Sequence, residues 1–456
     1  MILTHAKHVH VVGIGGIGVS AIARWLHHLS IPVSGSDLKA SKVTETLKST
    51  LMSLSIGEHR ATNVPAATDY LVYSPAIRSD NPERVEAKER GIPELSYPEA
   101  LARLSAKYFT IAVAGTHGKT TTTAMLGAIF IAAGLDPVVV VGSLIPEWEG
   151  NFRFGQGKVC IIEADEYDRS FLAYSPDCAV VTNVDRDHLD TYRDIDDISQ
   201  TFTKFIGQIK ASGCVIINHD DENSRQLSIP AQIKRIEYST KEISNCRPLD
   251  DEIGMQFETA QLGEVRISAP GLHMVGNALA AAAVATQYGI SAADIKKGLR
   301  DYHGAWRRFE VIGERNGAVT ISDYAHHPTE VRATIDAAKN AYPKSNVIFV
   351  FQPHQKRRVA LLKDEFVDAL SQAGTVALAE IYEVPGREDA SAQSISSREL
   401  VRQLVDRRVA AEFLENKQEI FQYLESKSRS GNVIVCLGAG DVHSILLEFM
   451  STKSNA

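Results

Sequence analysis

The fold of this 456-residue chain is constrained by three groups of short apolar runs, each of which has glycines close after one of its runs. The first is Val9–Val12, followed by Gly13-Ile-Gly-Gly-Ile-Gly18, and the second is Phe109–Ala114, followed by Gly115-Thr-His-Gly-Lys-Thr120. Near the C-terminus, residues 347–351 and 433–437 form a third group of β-branched runs. Strands that alternate with helices form parallel sheets through right-handed crossovers. The sequence therefore predicts an α/β protein built from three units.

Length and junction positions together predict where the domains meet. At roughly 100 to 200 residues per domain, a chain of this length is expected to contain two to four domains. One boundary is predicted near residue 105, before the second glycine junction, and another near residue 310. The predicted domains are therefore residues 1–105, 106–310 and 311–456.

Composition and charge exclude several classes of protein. The formal net charge is −8, which disfavours a general nucleic-acid or acidic-membrane binder. The five cysteines have no Cys-x-x-Cys spacing, so neither a disulfide framework nor a zinc cage is indicated. Asp136 and Pro137 interrupt the most apolar stretch, which predicts a helix, a turn and a buried strand rather than a membrane span. No secretion signal is apparent, and we expect a cytoplasmic protein.

The first glycine segment has the spacing of a dinucleotide-binding fingerprint. Gly13, Gly15 and Gly18 follow a predicted strand, and Asp37 lies nineteen residues after Gly18, near the position of a ribose-binding acid. Such glycines let a diphosphate approach backbone N–H groups at a helix N-terminus. The segment predicts recognition of a ribose diphosphate, of which NAD is only one example. The alternative is a glycine-rich turn that packs a helix against a strand.

The second glycine segment is typical of phosphate chemistry. Lys119 would place a positive charge on the β and γ phosphates of a nucleotide, and the Thr120 hydroxyl would bind Mg²⁺. Val113 stands where a strict P-loop has glycine, so the general motif is incomplete. The alternative is an ordinary strand-to-helix turn that carries an exposed lysine.

Acidic side chains follow two further predicted strands. Four acids occur within six positions, at Glu163, Asp165, Glu166 and Asp168, and a second polar cluster, which includes His188, extends from residue 182 to residue 190. Carboxylates packed at the end of a strand repel one another unless a cation neutralises them, which favours Mg²⁺. The alternatives are a solvated acidic loop and a hydrogen-bonded loop histidine.

A third polar segment, Asp323-Tyr-Ala-His-His327, precedes Pro328. Proline suits the first position of a helix, which predicts that a helix begins there. The acid and imidazoles are suited to binding a hydroxyl or a carboxylate. Helix capping by aspartate or histidine is the alternative.

Taken together, these segments resemble the Mur ligases, the ATP-dependent amide-forming enzymes of peptidoglycan assembly. The matching stretches occur in order along nearly the whole chain. They are Val11–Gly18, Ser34-Gly-Ser-Asp37, Ala114–Met125, Glu163-Ala-Asp-Glu166, Asp187-His188, Arg307-Arg-Phe309, Asp323–Glu330, Phe351-Gln-Pro-His354 and Gly438-Ala-Gly440.

The resemblance implies an N-terminal Rossmann-like domain for a UDP-sugar, a central P-loop ATPase-type domain with a parallel or mixed sheet, and a C-terminal Rossmann-like domain. The implied reaction joins L-alanine to the lactyl carboxylate of UDP-N-acetylmuramate through an acyl phosphate, with ATP and Mg²⁺, for which Mn²⁺ can substitute. Small molecules are thus the expected partners, without nucleic acid or membrane; a monomer and a homodimer both stay open. Rival functions are a ligase that adds a tripeptide to the same sugar nucleotide, an NAD oxidoreductase and a non-catalytic UDP-sugar sensor.

The resemblance also assigns roles to individual residues. Lys119, Glu163, His188 and Arg308 would be catalytic, and the metal ligands would be Thr120, Glu163 and His188. The UDP-sugar would contact Gly13, Gly15, Gly16, Ile17, Gly18, Asp37 and Ser74. ATP would contact Gly115, Thr116, His117, Gly118, Lys119, Thr120, Thr121, Asn277, Arg308 and Asp323. The amino acid would contact Tyr324, His327, His354 and Arg358.

Two positions depart from the family pattern. Met274 stands where many members have asparagine, so adenine recognition would depend on Asn277. Gln355 follows His354 where some members carry arginine, which affects the expected amino-acid pocket.

Overall fold

The computed structural model describes residues 3–250, 252–383 and 395–452, and it divides into two compact units. The first unit comprises the described parts of Met1–Ser239 and Leu279–Gly298. The second comprises those of Thr240–Ala278 and Leu299–Ala456. Most strands lie in three largely parallel sheets, so the predicted α/β class is confirmed.

The first unit begins with a five-stranded parallel sheet in the order β3-β2-β1-β4-β5. Its strands are β1 (Val9–Val12), β2 (Val33–Asp37), β3 (Ser53–Ile56), β4 (Tyr70–Tyr73) and β5 (Glu94–Ser96). Its helices are α1 (Ile17–His28), α2 (Lys42–Leu47), α3 (Pro82–Glu89) and α4 (Tyr97–Ser105). Strand β1 matches the predicted run, and α1 begins at Ile17, within the first glycine segment. The strand order changes direction at β1, where open α/β sheets form ligand crevices.

A seven-stranded sheet in the order β12-β11-β10-β6-β9-β7-β8 completes this unit. Only the β7–β8 pair is antiparallel. Its strands are β6 (Phe109–Ala114), β7 (Val138–Ile145), β8 (Gly150–Arg153), β9 (Val159–Glu163), β10 (Cys178–Val181), β11 (Cys214–Asn218) and β12 (Lys234–Tyr238). The remaining helices of this unit are α5 (Lys119–Ala132), α6 (Ile195–Ile206), α7 (Glu222–Arg225), α8 (Leu272–Gln287, of which Leu279 onward belongs to this unit) and α9 (Ala292–Arg300, of which the part up to Gly298 belongs to it).

The two sheets of the first unit share one hydrophobic core. Trp25 of α1 is fully buried, and its ring stacks on Phe152 of β8 with the ring centroids 5.7 Å apart. His28 stacks on Phe154 at 4.7 Å. The same cluster of buried side chains continues to Phe171 and Phe202. Burial of aromatic surface therefore holds the first predicted domain against the second.

The second unit contains a three-stranded antiparallel sheet and a six-stranded sheet in the order β16-β17-β21-β18-β19-β20. The strands of the smaller sheet are β13 (Ser244–Pro248), β14 (Met255–Thr259) and β15 (Gly263–Ile267). Those of the larger are β16 (Glu310–Arg315), β17 (Ala318–Asp323), β18 (Asn346–Phe351), β19 (Thr375–Ala379), β20 (Ala410–Leu414) and β21 (Asn432–Leu437). The helices are α10 (Pro328–Ala341), α11 (Lys356–Leu361), α12 (Lys363–Leu370), α13 (Ser397–Asp406), α14 (Lys417–Lys427) and α15 (Val442–Ser451). Helix α10 begins at Pro328 as predicted.

Among the described residues, no helix combines the length and the apolar character that crossing a membrane requires. The apolar stretch around Asp136 instead forms α5, a turn and β7, as its interruption by Asp136 and Pro137 predicts.

A buried carboxylate ties together the elements of the first sheet. Glu83 of α3 is fully buried, and its two carboxylate oxygens accept hydrogen bonds from His10 Nε2 (2.7 Å), Ser36 Oγ (2.7 Å), His59 Nδ1 (2.7 Å) and Asn63 Nδ2 (2.9 Å). Burial alone would raise the pKa of Glu83, but these four hydrogen bonds outweigh it and lower the pKa to about 2. The ionised carboxylate is therefore the form that stabilises this sheet.

We expect Glu83→Gln to reduce the free energy of unfolding near neutral pH by up to about 3 kcal/mol. The folded-state pKa lies below the ordinary value of 4.5, so the stabilisation is present above pH 4.5. It is lost as the pH falls through 4.5 towards 2. Urea unfolding of the wild type and the variant at pH 7 and pH 3 measures this effect.

Glu89→Gln, at an exposed carboxylate of the same helix, is the matched control and should change stability little at either pH. A gap between wild type and Glu83→Gln that stays constant across this pH range would contradict the proposed role of ionised Glu83.

Candidate active site

The first glycine loop lies at the carboxyl end of β1, where the strand order reverses. Gly16 is the N-cap of α1, and Ile17 and Gly18 form its first turn. The Asp37 Oδ2 atom accepts a hydrogen bond from the Gly15 N–H at 2.8 Å, while the Ser74 N–H donates to the Val12 carbonyl at 3.0 Å. The structure thus brings the predicted sugar-nucleotide residues together. Asp37 orders the loop itself, and its contact with a ribose stays a prediction.

The second glycine loop follows β6 and is held by residues after β10. Gly115 has a φ of +134°, and a Cβ atom there would collide with the Thr182 hydroxyl, so only glycine fits. The same hydroxyl donates to the His117 carbonyl at 2.5 Å. The His117 N–H donates to Asn183 Oδ1 at 2.8 Å. The loop is therefore shaped by the neighbouring strand end as well as by its own glycines.

Three other residues of this loop have contacts that fit a phosphate-binding turn. Gly118 takes a left-handed conformation as the N-cap of α5, and Thr121 is buried in the first turn of that helix. Thr116 Oγ1 accepts a hydrogen bond from the Asp185 N–H at 2.9 Å. A helix N-terminus preceded by such a turn presents backbone N–H groups to an anion.

Lys119 and Glu166 form the central ion pair of this site. Lys119 Nζ donates to Glu166 Oε2 at 2.8 Å and to the Gly115 carbonyl at 2.8 Å. Burial alone would lower the pKa of Lys119, but the charges of Glu166 and Asp165 raise it above its usual range. Burial would also raise the pKa of Glu166, yet Lys119 and His188 hold it below the ordinary value. Both side chains are therefore charged at neutral pH.

Thr120 and Glu163 form a pair of oxygen ligands beside this ion pair. The Thr120 hydroxyl donates to Glu163 Oε1 at 2.9 Å, and the Gly142 N–H donates to Glu163 Oε2 at 2.5 Å. Burial raises the pKa of Glu163, although Lys119 opposes the shift. A hydroxyl and a carboxylate are the hard oxygen donors that Mg²⁺ prefers, so these two residues fit that ion.

His188 lies beside Asp165 and Glu166 rather than beside Glu163. Its Nε2 atom is 3.5 Å from Glu166 Oε1, and ligand atoms of Asp165, Glu166 and His188 lie within 4.8 Å of one another. The structure therefore divides the predicted metal ligands between Thr120 with Glu163 and His188 with Glu166. The role of Glu166 was not predicted, because the spacing of the acids in this segment does not indicate which of them is buried.

The loops after β9 and β10 have strained backbones at this site. Asp168, Arg169 and His188 all have positive φ values, of 51°, 56° and 51°. Such conformations are costly for residues other than glycine, and they persist only where surrounding contacts hold them. Arg169 donates to Asp197 of α6 at 3.0 Å. The Tyr192 hydroxyl donates to the Glu166 carbonyl at 2.5 Å, so both loops are anchored.

In the second unit, Arg308 and Asp323 lie at the carboxyl end of β17. Asp323 is buried, and its two oxygens accept hydrogen bonds from the N–H groups of Phe309 (2.7 Å) and Ala325 (2.8 Å). Burial raises the pKa of Asp323. The Arg308 guanidinium lies over the Tyr324 ring at 5.3 Å and 3.8 Å from Glu330. Asp323 therefore holds the turn that carries Arg308; the assignment of both residues to ATP stays a prediction.

The residues predicted to bind the amino-acid substrate lie in this unit, one at a helix N-terminus and others beside aromatic rings. His327 is buried and caps α10, with its Nδ1 atom accepting from the Thr329 N–H at 3.3 Å. His354 lies between aromatic rings of His326 (5.9 Å) and Tyr382 (5.7 Å). Arg358 is buried and approaches His354 Nδ1 at 3.4 Å. The capping alternative is thus confirmed for His327, and its contact with an amino acid stays a prediction.

Asn277, which is predicted to bind adenine, lies in α8. Asn277 is buried one turn after Met274, and its side-chain amide contacts the Met274 sulfur at 3.8 Å. An asparagine side chain has both a hydrogen-bond donor and an acceptor, which suits the edge of a purine base, and the contact of Asn277 with adenine stays a prediction.

Three family models match consecutive parts of the chain. They are described as "Mur ligase family, catalytic domain" over residues 8–109, "Mur ligase middle domain" over residues 113–285 and "Mur ligase, glutamate ligase domain" over residues 307–440. The chain therefore belongs to the Mur ligase family, and the resemblance stated from its motifs is confirmed.

Individual relatives narrow this class further. A protein of Geotalea daltonii named "UDP-N-acetylmuramate--L-alanine ligase" is 40% identical, with 96% of each chain covered. Among solved structures, the UDP-N-acetylmuramate-alanine ligase MurC of Thermotoga maritima has a TM-score of 0.79 at 27% identity, covering 97% of this chain and 98% of the other. A murein peptide ligase of Psychrobacter arcticus shares the fold, with a TM-score of 0.70 at 22% identity and 99% of each chain covered.

The Thr120–Glu163 pair predicts that Glu163→Gln weakens binding of a divalent cation, because an amide lacks the charge that attracts the ion. We expect the dissociation constant for Mn²⁺, a spectroscopic substitute for Mg²⁺, to rise by at least about tenfold. Electron paramagnetic resonance titration of the full chain with Mn²⁺ measures it directly.

Asp168→Asn changes an exposed acid of the same segment and should leave Mn²⁺ affinity within about twofold. Equal weakening by both variants, or none by Glu163→Gln, would remove Glu163 from the metal site.

Proposed function

We propose that this chain is an ATP-dependent ligase that joins L-alanine to the lactyl carboxylate of UDP-N-acetylmuramate, as the names of its full-length relatives describe for those proteins. One observation supports a reaction between a sugar nucleotide and ATP in the first unit. The Tyr97 ring packs against Gly18, at the first glycine loop. Burial and the charges of Glu163 and Asp165 raise the pKa of the same tyrosine. The charges of the acidic segment thus act on a side chain that packs against the first glycine loop.

The chemistry requires activation of a carboxylate, which is a poor acylating agent at neutral pH. A carboxylate oxygen of the sugar nucleotide attacks the γ-phosphorus of ATP, the bond to the β-phosphate oxygen breaks, and ADP leaves. The alanine nitrogen then attacks the acyl carbon, and the tetrahedral intermediate expels phosphate as the amine loses its proton. The products are an amide, ADP and phosphate.

Lys119 is the residue of this chain best placed to stabilise the phosphoryl transfer. Its charge is maintained by Glu166, and its position at the start of α5 adds to the field of the helix N-terminus. A fixed positive charge near the transferred group acts chiefly on the transition state. A Mg²⁺ ion, which Thr120 and Glu163 would hold, neutralises phosphate charge when bound.

Recognition of the amino acid is assigned to the second unit. Alanine has only a methyl side chain, so most of its affinity must come from its charged carboxylate. Arg358 has a planar guanidinium that can bind a carboxylate with two hydrogen bonds. Arg358 is buried next to His354, whereas the neighbouring Arg357 is exposed. The burial difference supports Arg358 among the three adjacent basic residues that begin α11.

The first test is phosphate release from ATP with UDP-N-acetylmuramate, measured against a panel of amino acids and the tripeptide of the recycling reaction. We expect L-alanine to give the highest kcat/KM, and no phosphate without an amine acceptor beyond a slow background. Tripeptide turnover above that of L-alanine would establish the recycling function instead. Nicotinamide-dependent absorbance changes, or sugar-nucleotide binding without any ATP turnover, would identify the two remaining rivals.

The second test is Arg358→Met, which keeps the apolar stem and removes the charge. We expect loss of about 1.5 to 3 kcal/mol of carboxylate binding, which raises the KM for alanine roughly tenfold or more. The KM values for ATP and UDP-N-acetylmuramate should change little. Arg357→Met is the matched control and should leave the KM for alanine within about twofold, because that side chain is exposed. Equal effects of both variants on all three substrates would remove Arg358 from the amino-acid site.

A further inference from the structure

Two cysteines of the seven-stranded sheet lie side by side. Cys178 begins β10 and Cys214 begins β11, and the two residues are direct partners in the parallel register. Their sulfur atoms are 3.1 Å apart, within hydrogen-bond distance. Neighbouring strands are about 4.8 Å apart, which lies in the range of Cα separations that a disulfide can span. The sheet register therefore places two thiols where they can react with each other.

The pair opens into a cavity at the amino ends of the strands. The cavity has a volume of about 300 Å³ and is lined by both cysteines together with Phe109, Asp177, Ser212, Lys234, Gln287 and Tyr288. Phe109 and Tyr288 are each more than one third exposed, and Lys234 is exposed, so solvent reaches the mouth. Cys178 is four residues before Thr182, about 13 Å along the strand, so the cavity is distinct from the phosphate loop.

Charge distinguishes the two thiols. Lys234 is the partner of Cys214 in the next strand, and its Nζ atom donates to Gln287 Oε1 at 2.7 Å. The hydrogen bond between the two thiols lowers the pKa of Cys214; burial opposes this shift, and the charge of Lys234 supports it. The same hydrogen bond, burial and the charge of Asp177 raise the pKa of Cys178. Cys214 is therefore the more easily ionised member of the pair.

The other cysteines have different surroundings. Cys160 and Cys436 are buried, and burial raises the pKa of both, that of Cys436 to about 12. Cys246 is exposed. Within the described part of the chain, Cys178 and Cys214 are the only two cysteines recorded in contact with each other.

We propose that Cys178 and Cys214 form a dithiol site that hydrogen peroxide and related small peroxides oxidise to a disulfide. The Cys214 thiolate attacks a peroxide oxygen, the O–O bond breaks, Cys214 becomes a sulfenic acid, and the other oxygen leaves as hydroxide, which takes up a proton to give water. The Cys178 sulfur then attacks the Cys214 sulfur, the S–O bond breaks, and water leaves. Two thiols and one peroxide thus give one disulfide and two waters, with two electrons passing from sulfur to oxygen. This inference does not depend on the proposed ligase reaction.

The first experiment detects the disulfide in the full chain. A Cys246→Ser background removes the exposed thiol, and the protein is treated with stoichiometric hydrogen peroxide, digested and examined by mass spectrometry. We expect the peptides that contain Cys178 and Cys214 to be joined with loss of two hydrogens, and dithiothreitol to separate them. Oxidation of Cys214 to sulfinic acid without linkage, or equal oxidation of Cys160 and Cys436, would overturn the proposal.

A second experiment tests the reduced pair without any oxidation. Phenylarsine oxide binds two neighbouring thiols together, and we expect one equivalent per chain in the Cys246→Ser background. Cys178→Ser or Cys214→Ser should weaken this binding by at least about 100-fold, because the second thiol acts at a high effective concentration. Cys436→Ser, a matched substitution of a buried cysteine outside the pair, should leave it unchanged. Binding that is insensitive to both pair substitutions would contradict the dithiol site.

Discussion

The buried charge of Lys119 determines how the rest of the phosphate site is arranged. An ammonium group cannot be removed from water at reasonable cost unless an opposite charge accompanies it. Glu166 provides that charge at 2.8 Å, and it is itself buried and in contact with His188. The loops after β9 and β10 therefore converge on one cation, and their strained residues are held by the same set of contacts. Replacing Lys119 alone would leave Glu166 as a buried and poorly compensated charge.

Strand order explains why the two glycine loops occupy comparable positions. β1 lies between β2 and β4, and β6 lies between β10 and β9, so each loop follows a strand with neighbours on both sides. Parallel strands present their carboxyl ends at one edge of the sheet, which gathers side chains that are distant in sequence. In the first case this edge supplies Asp37 and Ser74. In the second it supplies Thr182, which binds the His117 carbonyl of the glycine loop, and Glu163, which binds the Thr120 hydroxyl.

Much of this arrangement could be predicted from sequence because strands, glycine turns and the first residues of helices have local signals. Val9–Val12 and Phe109–Ala114 were predicted to the residue, and the Thr120–Glu163 contact follows from two motifs at one sheet edge. Other features depend on register between distant segments. Glu83 meets His10 across 73 residues, and Cys178 meets Cys214 across 36. The local sequence around these residues does not indicate which strands or helices will be neighbours, so these pairs become visible only in the folded structure.

The aromatic contact between α1 and β8 has a consequence for how the first unit melts. Trp25 and Phe152 belong to one continuous core that extends through both sheets of this unit. Neither sheet can lose its packing without exposing apolar surface of the other, so the two should unfold in a single cooperative transition despite their separate family models. A fragment that ends near residue 105 would lack Phe152 and Phe154, leaving Trp25 and His28 without their aromatic partners. Such a fragment would expose a contiguous apolar surface and would be prone to aggregation.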